Sequence, residues 1–339
     1  MKKLFHLILA MLAAWTESAL AANLGGQRDV YFDVPLSNFS VQAFSQGNFV
    51  GPALFPVVPV DMQSGVYPTI TKADWLRLPQ SDVRAPMDIP RRVRWSASSD
   101  SYNCINRALM SGNPLEDLAN AMTAIRLRRN SAAFVVSQLA GGMERRIANK
   151  VTSITNIGSG VQLSSGARWS NFNNSDPISD ITTGHAFIRQ NTGLRANTLL
   201  LDYDTWKVVR RHPVLLDLYK YTDAGFLSDA QLMETFEVKR LLIADAIQEN
   251  SLEDGTSSIT NIWGNVAFLA YVNGAAAAPE TATFGLGFRW APPGIPAPMQ
   301  ARTYMDPHPG AKAELTEVGY YQDEKVIARQ LSYLVQNTL

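Results

Sequence analysis

Short apolar or alternating runs, broken by Pro, Gly and Asn, make up most of the chain, with one long helical stripe among them. Residues 23–60 interleave aromatics with Gly and with Pro35, Pro52, Pro56 and Pro59. Val57-Val58-Pro59-Val60 is too short and too Pro-broken for a central strand, so the segment predicts an extended arm. On such an arm Phe39, Phe44, Phe49 and Phe55 are exposed unless something covers them, and a neighbouring subunit is their expected partner. In residues 61–104, alternating pieces (Val66-Tyr67, Thr69-Ile70, Trp75-Leu76-Arg77-Leu78, Val93-Arg94-Trp95) flank a polar middle that contains proline. That pattern predicts a two-stranded hairpin. A lone hairpin is marginal in water. Trp75, Arg77, Arg91 and Arg92 are therefore expected to contact another subunit.

Asn113-Pro114-Leu115-Glu116 reads as a helix start, with Asn at the N-cap, Pro at the first helical position and Glu in the first turn. Leu115, Leu118, Met122 and Ile125, then Ala132, Val135, Val136 and Leu139, repeat at spacings of three and four until Gly141-Gly142. A spine helix over 114–140 follows, roughly 40 Å long at 1.5 Å per residue. Residues 152–184 are rich in Ser, Asn, Gly and Thr and read as loop with short strand pieces. Beyond them the pattern predicts a buried strand over 197–201, short helices over 205–212 and 214–221 and a capping box at Ser228–Gln231. Strands are then expected over 238–247, 262–272, 283–290, 318–321 and 325–335. The order is mixed α+β, without a regular βαβ repeat.

Composition narrows the class. The chain has 339 residues, 46% hydrophobic and 18% charged, enough for about two domains and unlike a disordered chain. Thirty basic residues balance thirty acidic ones, so no global field drives nucleic-acid binding and any such contact is a local patch. A single cysteine, Cys104, excludes an intrachain disulfide framework and a Cys-built metal site, and a buried or interface position is expected for it. Residues 1–22, with two lysines, an apolar run from Leu4 to Ala14 and an Ala-Leu-Ala site, match a secretory signal. The same spacing also suits a docked amphipathic helix.

No nucleophile elbow, phosphate loop or paired metal ligands occur, and His6, His185, His212 and His308 are scattered. His212, before Pro213, is expected to be a structural cation at a helix end. Asp176 and Asp180 flank a proline and read as a turn with a helix-capping Asp. No catalytic residue, metal or cofactor is therefore expected, and the chain reads as a non-enzyme. Two basic clusters remain, Arg91-Arg92-x-Arg94 and Arg126-x-Arg128-Arg129. For Arg126, Arg128 and Arg129 both a solvated face with intersubunit ion pairs and phosphate contact stay open.

Several blocks resemble one family. Arg168-Trp169-Ser170 leading to Ser175-Asp176-Pro177-Ile178-Ser179-Asp180-Ile181 is similar to a stretch of tailed-bacteriophage major capsid proteins. So, in the same order, are Asn197-Thr198-Leu199-Leu200-Leu201 through Trp206 to Arg211-His212-Pro213, Ile262-Trp263-Gly264 to Tyr271-Val272, and Phe284-Gly285 to Arg289-Trp290. The resemblance implies the Hong Kong 97-type fold. Its parts would be an N-terminal hydrophobic segment (1–22), an N-arm (23–60), an E-loop hairpin (61–104), a peripheral domain (105–195), an axial domain (196–274) and a peripheral return (275–339). It implies self-assembly through pentamers and hexamers into an icosahedral shell, in a virion assembled in the host cytoplasm. The implied partners are copies of the chain, packaged double-stranded DNA bound non-specifically, and portal, scaffolding and decoration proteins, with no membrane. An encapsulin-like compartment and a secreted or periplasmic binding protein stay open as alternatives.

Overall fold

The computed structural model describes residues 31–32, 49–70, 78, 81–84, 86–90, 92–93, 97–120, 124–219, 225–251, 256–274, 281–292, 300–308 and 310–339. Residues 1–22, with their signal-like pattern, lie outside these.

Two sheets organise the chain. The first holds β1 (Tyr31–Phe32), β2 (Val57–Val60), β5 (Ile105–Pro114), β12 (Gly285–Trp290), β13 (Gln300–Met305) and β14 (Ala313–Val326). Its order is β1-β13-β14-β12-β2, with β5 also pairing β14. The second, ordered β6-β15-β11-β7-β8, holds β6 (Ser159–Gln162), β7 (Thr198–Asp202), β8 (Arg240–Ala244), β11 (Val266–Ala270) and β15 (Ser332–Gln336). Two-stranded ribbons, β3 (Ser64–Ile70) with β4 (Ala97–Asn103) and β9 (Ile247–Glu249) with β10 (Ile259–Asn261), extend from these sheets. Every residue of β7 and β11 is buried, which is why both read as continuous apolar runs in the sequence.

The helices between them are α1 (Gly51–Leu54), α2 (Leu115–Asn120), α3 (Ala124–Val151), α4 (Pro177–Thr192), α5 (Tyr203–Val209), α6 (Pro213–Leu218) and α7 (Asp229–Thr235). The long helix α3 joins the two sheets. Its first half packs Ala132, Val135, Val136 and Leu139 on Ala301, Val318 and Tyr320 of the first sheet. Its second half sends Met143, Ile147, Ala148 and Val151 into the main core with β7, β11 and β15. Alternate residues of β14 face it: Arg128 meets Glu314, and Arg146 meets Glu324.

Several expectations change. The helix does not stop at 140; it runs through Gly141-Gly142 to Val151, because four buried apolar residues beyond the glycines outweigh a cost of ~1 kcal/mol per helical Gly. At its front, Pro114 ends β5 and helix α2 begins at Leu115, while residues 121–123 lie outside the description. Asn113 caps nothing: it pairs opposite Glu314 in the ladder and accepts a hydrogen bond from the Ser131 hydroxyl at 2.6 Å. Residues 105–113 are strand, unforeseen because Ile105 to Asn113 does not alternate. The tail over 275–339 does not all return to the first sheet. Its last strand, β15, lies between β6 of the 105–195 stretch and β11 of the 196–274 stretch. The pattern over 152–184 hid the first half of α4, whose first turn is capped by Asp176 through the Ile178 and Ser179 amides.

Candidate functional site

No cluster of three metal-ligating side chains occurs among the described residues, and no described helix is long and apolar enough to cross a membrane. The features that stand out are surfaces and the joints that hold them.

The β3–β4 ribbon has a fixed root and an open far end. At the root Tyr67 and Tyr102 lie on Phe288 of β12, with ring centroids 5.1 and 4.7 Å apart. The Tyr67 hydroxyl donates to Asp100 at 2.9 Å. Burial and that carboxylate push the phenol's pKa upward. Cys104, buried below, donates to the Phe288 carbonyl at 3.3 Å, and burial lifts its thiol to about 11, which leaves it an unreactive core residue. Beyond the root Leu78, Val83, Met87, Ile89 and Val93 are each at least 70% exposed. Exposed apolar side chains in that number between two strands call for a partner.

The expected contact residues divide. Phe55 is 0% exposed, its ring edge-on to Phe284 at 5.6 Å. That overturns its reading as an exposed arm residue: from Gly51 the chain turns into α1, with Pro52 in its first turn, and drives Leu54 and Phe55 into the core. Phe49 is half-buried and Arg92 exposed. Phe39, Phe44, Trp75, Arg77 and Arg91 lie outside the described residues. Arg126 is on α3 with its side chain undescribed, and Arg129 is exposed. Arg128 is engaged within the chain, its guanidinium meeting Glu314 twice, at 2.6 and 2.7 Å. Such a bidentate pair ties the start of α3 to the start of β14, so Arg128 is not a spare charge for a partner.

The residue the sequence reading missed is Glu144. It is 0% exposed on α3 and accepts from the Val50 amide (3.1 Å), the Gly51 amide (2.7 Å) and the Trp263 indole N–H (2.6 Å). Burial raises its pKa, and the three donors counter that rise. One carboxylate thus joins the arm's end, the long helix and the loop before β11. Its signal was present: Glu144 falls within the apolar stripe Met143, Ile147, Ala148, Val151, where a charge is out of place unless it has partners.

Two more buried groups sit near α5 and α6. His212 is fully buried, its Nε2 2.9 Å from the Ser175 hydroxyl and its ring edge-on to Phe172. It occupies the N-cap position of α6, where a cation is disfavoured, and burial lowers its pKa. The expected helix-end cation is a neutral core histidine. Asp202 caps α5; Asn261 donates to Asp202 and Asp204 at 3.4 and 3.1 Å. Burial raises Asp202 to about 6. Between about pH 4 and that value the folded chain holds a proton that the unfolded chain has released, so stability falls as pH rises across the window. Asp202→Asn is expected to flatten this dependence by about 2–3 kcal/mol between pH 4 and 7. Urea unfolding of both proteins across that range checks it; parallel curves would refute it.

No protein-family model matches the chain. It is 28% identical over 255 residues, 71% of its length and 76% of the relative's, to the major capsid protein of Burkholderia phage BcepMu. It is 24% identical over 302 residues, 88% and 94% of the two chains, to the major capsid protein of Pseudomonas phage JBD67. Among solved structures it is similar to a phage-related protein from Bordetella bronchiseptica RB50, at TM-score 0.72 and 23% identity over 92% of this chain and 99% of that one. A capsid structure of cyanophage P-SCSP1u matches at TM-score 0.53 and 10% identity, over 84% and 86%. Over most of its length the chain is thus similar in sequence to phage major capsid proteins, the family its motif blocks resemble, and its mixed α+β fold is similar to that of a phage-related protein.

Proposed function

We propose that the chain is a shell subunit whose copies form rings of five and six that tile a closed icosahedral capsid around double-stranded DNA. In this reading the parts follow the Hong Kong 97-type arrangement, with an arm, an E-loop formed by the β3–β4 ribbon, a peripheral region around α3 and an axial region around β7, β8 and β11. The observation that carries it is the ribbon: a stacked aromatic root leading to five exposed apolar side chains, in a chain related to major capsid proteins. A head-to-tail contact that closes after a few copies makes a ring, and projections reaching beyond a ring join rings into a shell. Burying the ribbon's apolar surface against neighbours supplies stability that a monomer lacks. Portal, scaffolding and decoration proteins are the expected further partners, and the host cytoplasm the place of assembly. Contact with DNA is left to exposed cations such as Arg129, through charge without sequence readout.

Electron microscopy of material sedimented from cells expressing the full chain tests the reading. Uniform closed shells are expected. A monomer that never sediments would overturn it, and shells filled with protein cargo would favour a cellular compartment. Ile89→Asp, between β3 and β4, is expected to abolish shells while leaving the subunit's melting within a few tenths of a kcal/mol of wild type, as for a surface change, and Trp75→Asp is likewise expected to abolish shells. Normal shells from both variants would remove the ribbon from assembly.

A further inference from the structure

Along α5 and the loop before α7, cations and aromatic rings alternate. The Lys207 ammonium lies 5.2 Å from the Tyr203 ring, and the Arg210 guanidinium lies between Trp206 (4.5 Å) and Phe226 (5.6 Å). Arg211 stands 6.0 Å from the same Phe226 ring. The strip is held in place: Trp206 donates its indole N–H to Asp229 at 2.9 Å, and Arg210 donates to the Leu227 carbonyl at 2.7 Å. Tyr203 and Phe226 remain exposed, and so does Arg211, whose guanidinium makes no hydrogen bond or ion pair among the described residues. Isolated exposed rings are ordinary. A fixed run of Tyr, Trp, Phe and Arg has the composition of an interface centre.

The same chain carries a ribbon of opposite charge, in a stretch of sequence without cations. Between Arg240 and Arg289 the sequence has no Lys or Arg, while Asp245, Glu249, Glu253, Asp254 and Glu280 fall there. The β9–β10 ribbon sits in this stretch. Ile259 pairs opposite Glu249, and Ile247 lies two residues before Glu249, so the three share one face. Both isoleucines are exposed. Hydrogen bonds from the Ser257 hydroxyl and the Ser251 and Ser258 amides fix the Glu249 carboxylate and keep it ionised well below neutral pH. No cation of the same chain meets it among the described residues, and Arg211 likewise meets no acid. Each patch is thus short of what the other offers.

Building on the shell reading above, we propose that neighbouring copies within a ring contact each other through these patches, the β9–β10 ribbon of one lying on the α5 strip of the next. Ile247 and Ile259 would cover the Tyr203 and Phe226 rings, and Glu249 would face Arg211. Because the two patches differ, the contact is heterologous and repeats around a ring.

A charge exchange tests it. Arg211→Glu and Glu249→Lys are each expected to raise the protein concentration needed for rings or shells at least tenfold, by light scattering and electron microscopy. The double variant is expected to recover most of the loss. Unchanged melting of the Arg211→Glu monomer separates an assembly defect from misfolding. Wild-type assembly with Arg211→Glu equally competent, or a double variant no better than the worse single one, overturns the contact and leaves the shell reading intact. A wild-type chain that forms neither rings nor shells overturns both.

Discussion

Glu144→Ala is expected to destabilise the unassembled subunit by about 4 kcal/mol, a large share of the roughly 5–15 kcal/mol that separates folded from unfolded chains. The alanine leaves the Val50 and Gly51 amides and the Trp263 indole N–H without an acceptor in a site closed to water. Each orphaned donor costs about 1–3 kcal/mol. Removing a buried charge returns part of that sum, because the carboxylate no longer has to be desolvated. Glu144→Gln keeps one acceptor oxygen and turns an amide NH₂ toward donors, so it is expected to fall between wild type and alanine. Urea unfolding of the monomer measures the loss. Hydrogen exchange locates it: the amides of residues 50–55 and the 263–266 loop are expected to lose protection together, since one side chain holds both. A loss below about 1 kcal/mol, or lost protection confined to the arm, would show that the carboxylate does not join these regions.

How far the sequence reveals this arrangement depends on whether local pattern or distant pairing decides each element. Ser228 and Gln231 form both bonds of a capping box, and Leu199 to Leu201 are buried in β7, because these features need only neighbouring residues and a consistent apolar run. The strand over 105–114 is set from outside. Its ten residues pair with β14, some two hundred positions later, and nothing in Asn106, Arg107 or Ser111 alternates to announce it. Gly141-Gly142 misled for a related reason: local propensity says stop, while Met143 and Ile147 bury against strands brought there by the fold. Among the surface candidates, Phe55 has the same sequence pattern as Phe39, Phe44 and Phe49, and only packing places it inside. Arg128, whose role was open, finds its place only once its partner Glu314 on β14 is seen. The α5 strip gave no sequence signal, since Phe226 reaches Arg210 and Arg211 only through the fold.

Phe55 and Gly285 form a pair whose coupling distinguishes core from interface. A Cβ added at Gly285 would lie 2.5 Å from Phe55 Cε1 and 2.7 Å from Cδ1, so the glycine is there to admit the ring. Phe55 in turn meets Phe284 edge-on, and Phe284 meets Phe268 at 5.0 Å in the same manner, which leaves the ring little room to move. Phe55→Ala is expected to cost the monomer about 3–5 kcal/mol from lost burial and the cavity left behind. Gly285→Ala, which overpacks the same space, is expected to cost about 1–3 kcal/mol. Together they should cost less than the sum of the two, by about 1 kcal/mol or more, because the new methyl group enters space the ring has vacated. Urea unfolding of the wild type, both single variants and the double variant closes the cycle. An intersubunit role for Phe55 predicts the opposite: a monomer that unfolds like wild type and fails only when copies must meet. If Phe55→Ala gave that result, the ring would belong to the subunit interface despite its burial, and the arm would contribute to assembly as far as α1.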